Sequence, residues 1–150
     1  TDKKWLLRQW CENGKIKNTL EITYTNPEPM DNCNLERKSG LCLNGVLRNF
    51  VRIYVPAGSE MVEFLGSETE PKTYQELGKQ VFEGFFTLRG GGGRAKLVVE
   101  YLVPEDTVAS SDYKLLIQKQ PGTDAVKHKI NYQGKVKEID LKIDKEVLFE

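Results

Sequence analysis

The sequence predicts an all-β fold: an antiparallel, immunoglobulin-like β-sandwich of about ten strands with long loops, in a single domain spanning residues 1–150. Three observations carry that prediction. Apolar residues recur with a period of two in segment after segment, as a pleated strand with one covered face requires. Turn signals separate the segments at close spacing, among them Asn13-Gly14, Pro121-Gly122 and Gln133-Gly134. No segment shows the period of an amphipathic helix.

The clearest strand lies in Val46–Ser59. Val51, Ile53 and Val55 point to one face, and Phe50, Arg52 and Tyr54 to the other. Pro56 removes a ladder donor and ends the strand, and Ala57-Gly58-Ser59 turns the chain. Aromatic residues on the second face predict that it too is partly covered, the pattern of a central strand.

The remaining elements follow in order. Lys4 to Cys11 is a strand whose Asn13-Gly14 turn returns the chain through Ile16 to Thr25, with Leu20, Ile22 and Tyr24 inward. Asn-Gly suits a type I′ turn because both central residues need positive φ. Trp5 and Trp10 fall on opposite faces of the first strand, one for the core and the other for a neighbouring domain or a ligand. Residues 27–45 form a long loop, of a length that is often functional. Short strands follow at Met61–Ser67 and, as an edge, Thr73–Leu77. Gln80 to Arg89 places Phe82, Phe86 and Leu88 on one face, with Gly84 marking a bulge or a close approach. Leu97, Val99, Tyr101 and Val103 share the inward face of the next strand. Tyr113–Ile117 and Val126–Tyr132 are further strands. Ile139, Leu141 and Ile143 continue the return, and Val147–Phe149 adds a last short strand.

A chain of this length buries roughly 70% of the surface its unfolded form exposes, so it folds without a metal or disulfide staple. Lys plus Arg balance Asp plus Glu, 22 against 22. Zero net charge argues against a nucleic-acid surface, which needs a basic excess to displace counterions. No apolar run approaches the ~20 residues of a membrane span, so no direct membrane insertion by this domain is expected. The chain opens on Thr without a secretion signal and reads as a domain excised from a larger protein.

Few motifs carry chemistry. The four glycines 90–93 are not followed by the Gly-Lys-Ser/Thr of a phosphate cradle or by a helix, so they read as a flexible hairpin connection. One histidine serves any nucleophile–base scheme, and there is no Gly-x-Ser-x-Gly. His128 sits on a strand face as a core or boundary residue. Asp31, Asn32, Asn34 and Glu36 group oxygen ligands but lack the spacing of a calcium loop. Catalytic, cofactor-binding and metal residues are accordingly assigned to none. Cys33 and Cys42 flank a turn-rich loop. A disulfide there would stabilise by roughly 2–3 kcal/mol, the alternatives being two reduced thiols or a zinc site, which the spacing fits poorly. Cys11 is left over. Pro121-Gly122 fits the centre of a type II turn within residues 118–124.

Four segments, Asn34–Gly45, Arg48–Ser59, Gly78–Phe86 and Tyr113–Asp124, together resemble the C-terminal region of a bacterial family catalogued as domain of unknown function 4012. Members look like envelope proteins with an N-terminal membrane anchor. The resemblance implies an extracellular or cell-surface location, a setting that permits the Cys33–Cys42 disulfide, and it brings no catalytic residues. The expected function is a non-enzymatic structural or recognition module. Its partner would be the upstream domain of the same protein, a cell-envelope glycan or another surface protein. The alternative is an accessory or catalytic domain acting on envelope glycans through paired carboxylates. The expected recognition surface comprises Asn34, Glu36 and Arg37 in the long loop and Gln120, Thr123 and Asp124 in the turn, with exposed aromatics such as Tyr74 beside them.

Alkylation of protein purified without reductant, followed by intact mass, is expected to show one reactive thiol that becomes three on reduction, with peptide mapping placing the bridge at Cys33–Cys42. Three reactive thiols before reduction would remove the disulfide.

Overall fold

A computed structural model describes residues 2–29, 45–104 and 113–150. Cys33 and Cys42 lie outside the described residues, as do Asn34, Glu36 and Arg37. The described residues form eleven strands and no helix: β1 (Asp2–Glu12), β2 (Lys15–Asn26), β3 (Leu47–Pro56), β4 (Glu60–Leu65), β5 (Lys72–Glu76), β6 (Lys79–Leu88), β7 (Gly93–Pro104), β8 (Tyr113–Ile117), β9 (Val126–Tyr132), β10 (Lys135–Leu141) and β11 (Lys145–Phe149). They make a six-stranded sheet in the order β10-β9-β1-β2-β7-β4, a three-stranded sheet β3-β6-β5 and a β11-β8 pair.

The two small sheets pack over one face of the large one. One apolar cluster joins Leu7, Leu20, Ile22 and Leu97 of the large sheet to Phe86 and Leu88 of β6 and to Ile117, Val147 and Phe149 of the β8–β11 pair. A second joins Val99, Tyr101 and Val103 of β7 to Val55 and Phe82. The period of two thus lays one face of each strand into a common sandwich core, and the inward faces expected for β2, β6 and β7 are the buried ones.

Three turns have the paired positive φ of type I′: Asn13-Gly14, Leu77-Gly78 and Gln133-Gly134. β1, β2 and β4 share one sheet and β3 opens the other, as in an immunoglobulin constant domain. The fifth and seventh strands exchange sheets relative to that plan. Among the described residues strand pairing is antiparallel with one exception: β9 lies parallel to β1, Lys3 opposite His128 and Leu7 opposite Tyr132. β8 belongs to the facing layer, so the chain crosses between layers before β9 enters the large sheet, and such a crossing is what permits a parallel neighbour.

Three local readings are corrected. β3 is an edge strand, not a central one, and Phe50 is 74% exposed. Its aromatic second face is a surface. The four glycines do not close a hairpin; they carry the chain from β6 in one sheet to β7 in the other. The Gly91 and Gly92 amides donate to Glu28 O (2.6 Å) and Asn26 O (2.8 Å), so the backbone donors a phosphate would need are occupied. Ile143 lies beyond β10 and is exposed.

Gly84 marks a close approach. A Cβ there would meet the Phe64 ring at 2.6 Å, across the interface between the two sheets. Gly84→Ala is expected to destabilise the fold by roughly 1–3 kcal/mol through overpacking. Urea unfolding checks this, and Phe64→Leu in the Gly84→Ala background should recover part of the loss.

Candidate functional site

The outer face of β3-β6-β5 is the surface on which exposed aromatic and charged residues are most closely organised. The ladder register puts Phe50 opposite Phe85, Arg52 and Lys72 on either side of Glu83, and Tyr54 and Tyr74 on either side of Val81. Facing residues of an antiparallel pair share a side, so all of these project outward. The Phe50 and Phe85 rings pack 4.8 Å apart. Val81 is fully buried although it faces outward, because the flanking tyrosines stand over it.

A polar frame holds these rings. Arg52 Nε donates to Glu83 Oε2 at 2.9 Å, and the Tyr74 hydroxyl donates to the same oxygen at 2.9 Å. The Tyr54 hydroxyl donates to Glu76 Oε2 at 2.5 Å. The Tyr74 and Arg52 donors hold the Glu83 carboxyl below the usual range. The bond to Glu76 raises Tyr54, and the bond to Glu83 raises Arg52, so both remain protonated. Glu68 accepts from the Thr87 hydroxyl (2.6 Å) and amide (2.7 Å), which lowers its pKa and ties the β4–β5 connection to β6.

Leu77 closes the β5–β6 hairpin at one end of this face. It is 85% exposed and sits at φ +53. The left-handed region disfavours a bulky L-residue by roughly 1–2 kcal/mol, and Asn or Gly is the usual occupant of this turn position. An apolar side chain is therefore held in water on a strained turn.

The turn expected to contribute to recognition is satisfied internally. Gly122 has φ +77, as a type II turn requires. Thr123 Oγ1 donates to Gln120 O at 2.8 Å, Lys119 Nζ donates to Thr123 O at 2.6 Å, and the Lys119 amide donates to Asp144 Oδ1 at 2.7 Å. Gln120 and Asp124 are exposed. This turn lies between β8 and β9, outside the β3-β6-β5 sheet. Phe50 and Leu77 were missed by the sequence reading. The strained Leu-Gly turn was the available signal, since a Leu before Gly at a two-residue hairpin departs from the usual Asn-Gly.

Trp5 and Trp10 point to opposite sides as expected. Trp5 packs against the core, whereas Trp10 is exposed beneath Lys17 Nζ at 5.3 Å. Cys11 is exposed and free. The Trp5 indole N–H donates to His128 Nδ1 at 3.0 Å, and the two rings stack at 5.8 Å. His128 is fully buried, and its Nε2 has no partner among the described residues. Burial, with the nearby Lys3 charge adding to it, lowers the His128 pKa from 6.5 to about 4.

No protein-family model matches this sequence, and no curated protein matches it. Among the described residues no helix is long and apolar enough to cross a membrane. No group of three or more His, Cys, Asp or Glu among them is placed to hold a metal ion.

The unfolded chain protonates its histidine near pH 6.5, while the folded chain resists to about 4. This group therefore costs nothing above 6.5 and removes up to about 3 kcal/mol of stability as the pH falls toward 4. Urea unfolding across that range, with His128→Gln as the comparison, should show the variant losing less stability than the parent. Parallel curves would overturn the assignment.

Proposed function

We propose that this chain is a non-enzymatic recognition module of a bacterial cell-envelope protein, exposed outside the membrane, and that the outer face of β3-β6-β5 docks on a folded protein surface. The observation that carries the reading is the exposure of Phe50 and Leu77 at opposite ends of an ordered Tyr–Arg–Glu face, Leu77 on a strained turn. Phe, Tyr and Arg are the residue types that anchor protein interfaces, and tyrosines and arginines already held by hydrogen bonds lose little entropy on docking. Arg48, Arg52, Lys72 and Lys79 stand on this face against Glu68, Glu76 and Glu83, a small basic excess that favours an acidic partner. The envelope setting rests on the resemblance to domain of unknown function 4012. A carboxyl held low by its donors, as Glu83 is, serves as an anchor and not as the proton donor that glycan cleavage needs. That favours binding over the alternative of catalysis on envelope glycans.

The test uses a photo-crosslinking amino acid at Phe50 or Leu77 of the whole parent protein in its own cells, with exposed Ile143 as the control position. Adducts to one protein species from 50 and 77 and none from 143 are expected. An intramolecular adduct identifies the upstream domain as the partner. Equal adducts from all three positions, or none from 50 and 77, would overturn the docking face. Leu77→Asn is expected to stabilise the isolated domain by roughly 0.5–1 kcal/mol in thermal unfolding while weakening the crosslink at position 50, because it restores the favoured turn residue and removes the apolar tip.

A further inference from the structure

We infer that β5 pairs antiparallel with β5 of a second copy of this chain, on a two-fold axis at Tyr74, so that two β3-β6-β5 sheets join edge to edge. β5 is an edge strand of its sheet, and no described strand pairs with its other side. That side is open to water. Thr73 stands opposite the fully buried Phe82 on the inner face, yet Thr73 is exposed, and so is Gln75 two residues on. The strand therefore overhangs the core and presents its margin. The inference concerns this margin and does not rest on the docking of the outer face.

The backbone decides which groups the margin offers. The two-residue turn Leu77-Gly78, with positive φ at both positions, makes Glu76 and Lys79 a hydrogen-bonded pair. Alternation along the ladder then turns the N–H and C=O groups of Lys72, Tyr74 and Glu76 toward β6. Those of Thr73 and Gln75 point out from the edge. An antiparallel copy centred on Tyr74 sets Thr73 opposite Gln75 of the second copy, and Gln75 opposite its Thr73. Each such pair exchanges both of its bonds, so every outward group of the strand is used. A register centred on Thr73 sets Gln75 against Pro71, which has no N–H, and one centred on Gln75 runs Thr73 against Leu77 in the turn.

The side chains select the same register. Lys72 lies opposite Glu76 of the second copy and Glu76 opposite its Lys72, because the strand carries opposite charges at its two ends. Thr73 and Gln75 pair on the inner face. The two Tyr74 rings stand side by side on the outer face, each oriented by its bond to Glu83. A short strand with a charge at each end resists pairing with unrelated strands, while its own copy matches both charges. The margins of the large sheet are blunted differently. β4 carries an irregularity between Met61 and Glu63, and β10 turns Lys137 inward opposite Ile130, where its ammonium donates to Leu148 O. The two-fold axis stands perpendicular to the sheet, so both outer faces look the same way, and the pair presents a continuous β3-β6-β5-β5-β6-β3 platform.

The test is sedimentation equilibrium of the intact chain under reductant, from about 10 µM to about 1 mM. A monomer–dimer equilibrium with a dissociation constant on the order of 0.1 mM is expected, as for a small interface. Lys72→Glu and Glu76→Lys each set like charges against one another at both ends of the pair, so each should weaken self-association by roughly tenfold or more. Mixed in equal amounts, the two variants meet with opposite charges and should dimerise again. Gln75→Pro removes an outward N–H, leaves the β6 ladder intact and should be monomeric; it decides the matter if a charge variant fails to fold by circular dichroism. A parent chain monomeric throughout, variants that associate as the parent does, or a charge-variant mixture that stays monomeric would overturn the pairing. The purified chain contains no other partner, so this result is separate from the crosslinking test of the outer face.

Discussion

The packing of β6 onto the large sheet is the constraint on which the structure rests. Phe82, Phe86 and Leu88 project from its inner face and are fully buried, and Gly84 between them leaves the space that Phe64 enters from the opposing layer. Burying a phenylalanine is worth roughly 1.5–3 kcal/mol, so this row is a principal apolar contribution from a sheet of only three strands. Phe82 packs against Tyr101, and Phe86 against Tyr24, at ring separations of 5.6 and 4.6 Å. Both contacts clamp the small sheet to the neighbouring strands β2 and β7 of the large one. A small β-sheet has little independent stability, and this clamp makes β3-β6-β5 a platform.

What the platform presents follows from its opposite face. With the inner face committed to the core, the alternate residues of β3, β5 and β6 face water, and they include Phe50, Tyr54, Tyr74 and Phe85. Ordinary surface aromatics are free to move. Tyr54 and Tyr74 are held by Glu76 and Glu83, whose carboxylates accept from their hydroxyls, and Phe50 packs on Phe85. The same acceptor bonds order the face, and the Tyr74 and Arg52 donors hold the Glu83 carboxyl below the usual range. Ordered tyrosines and exposed rings are the features on which the proposed docking reading rests.

The large sheet behaves differently at its β1–β9–β10 side. There the inner face carries Lys3 and His128 where other strands carry Leu or Ile. Tertiary packing has drawn a cation and an imidazole toward the core without giving them a carboxylate among the described residues. The Trp5–His128 hydrogen bond orients the ring and determines which nitrogen keeps its proton.

Alternation and turn chemistry in the sequence determined the all-β class, the strands from β1 to β11 to within a few residues, and the inward faces of β2, β6 and β7. These follow from local rules: a pleat alternates, and positive φ selects Asn and Gly. At Gly84 a bulge and a close approach stayed open until the structure placed Phe64 against it. Turn-bounded Thr73–Leu77 was legible as an edge, but only the tertiary structure decided that β3 is one too, that β9 runs parallel to β1, and that the glycine run crosses between sheets. It also decided that the aromatic side of β3 faces solvent. The reason is that a strand with apolar residues on both faces reads alike whether its second face meets another layer or water. Partnership across a sheet is a long-range choice, made by which faces can be buried together, and the exposure of Phe50 and the burial of His128 follow from that choice.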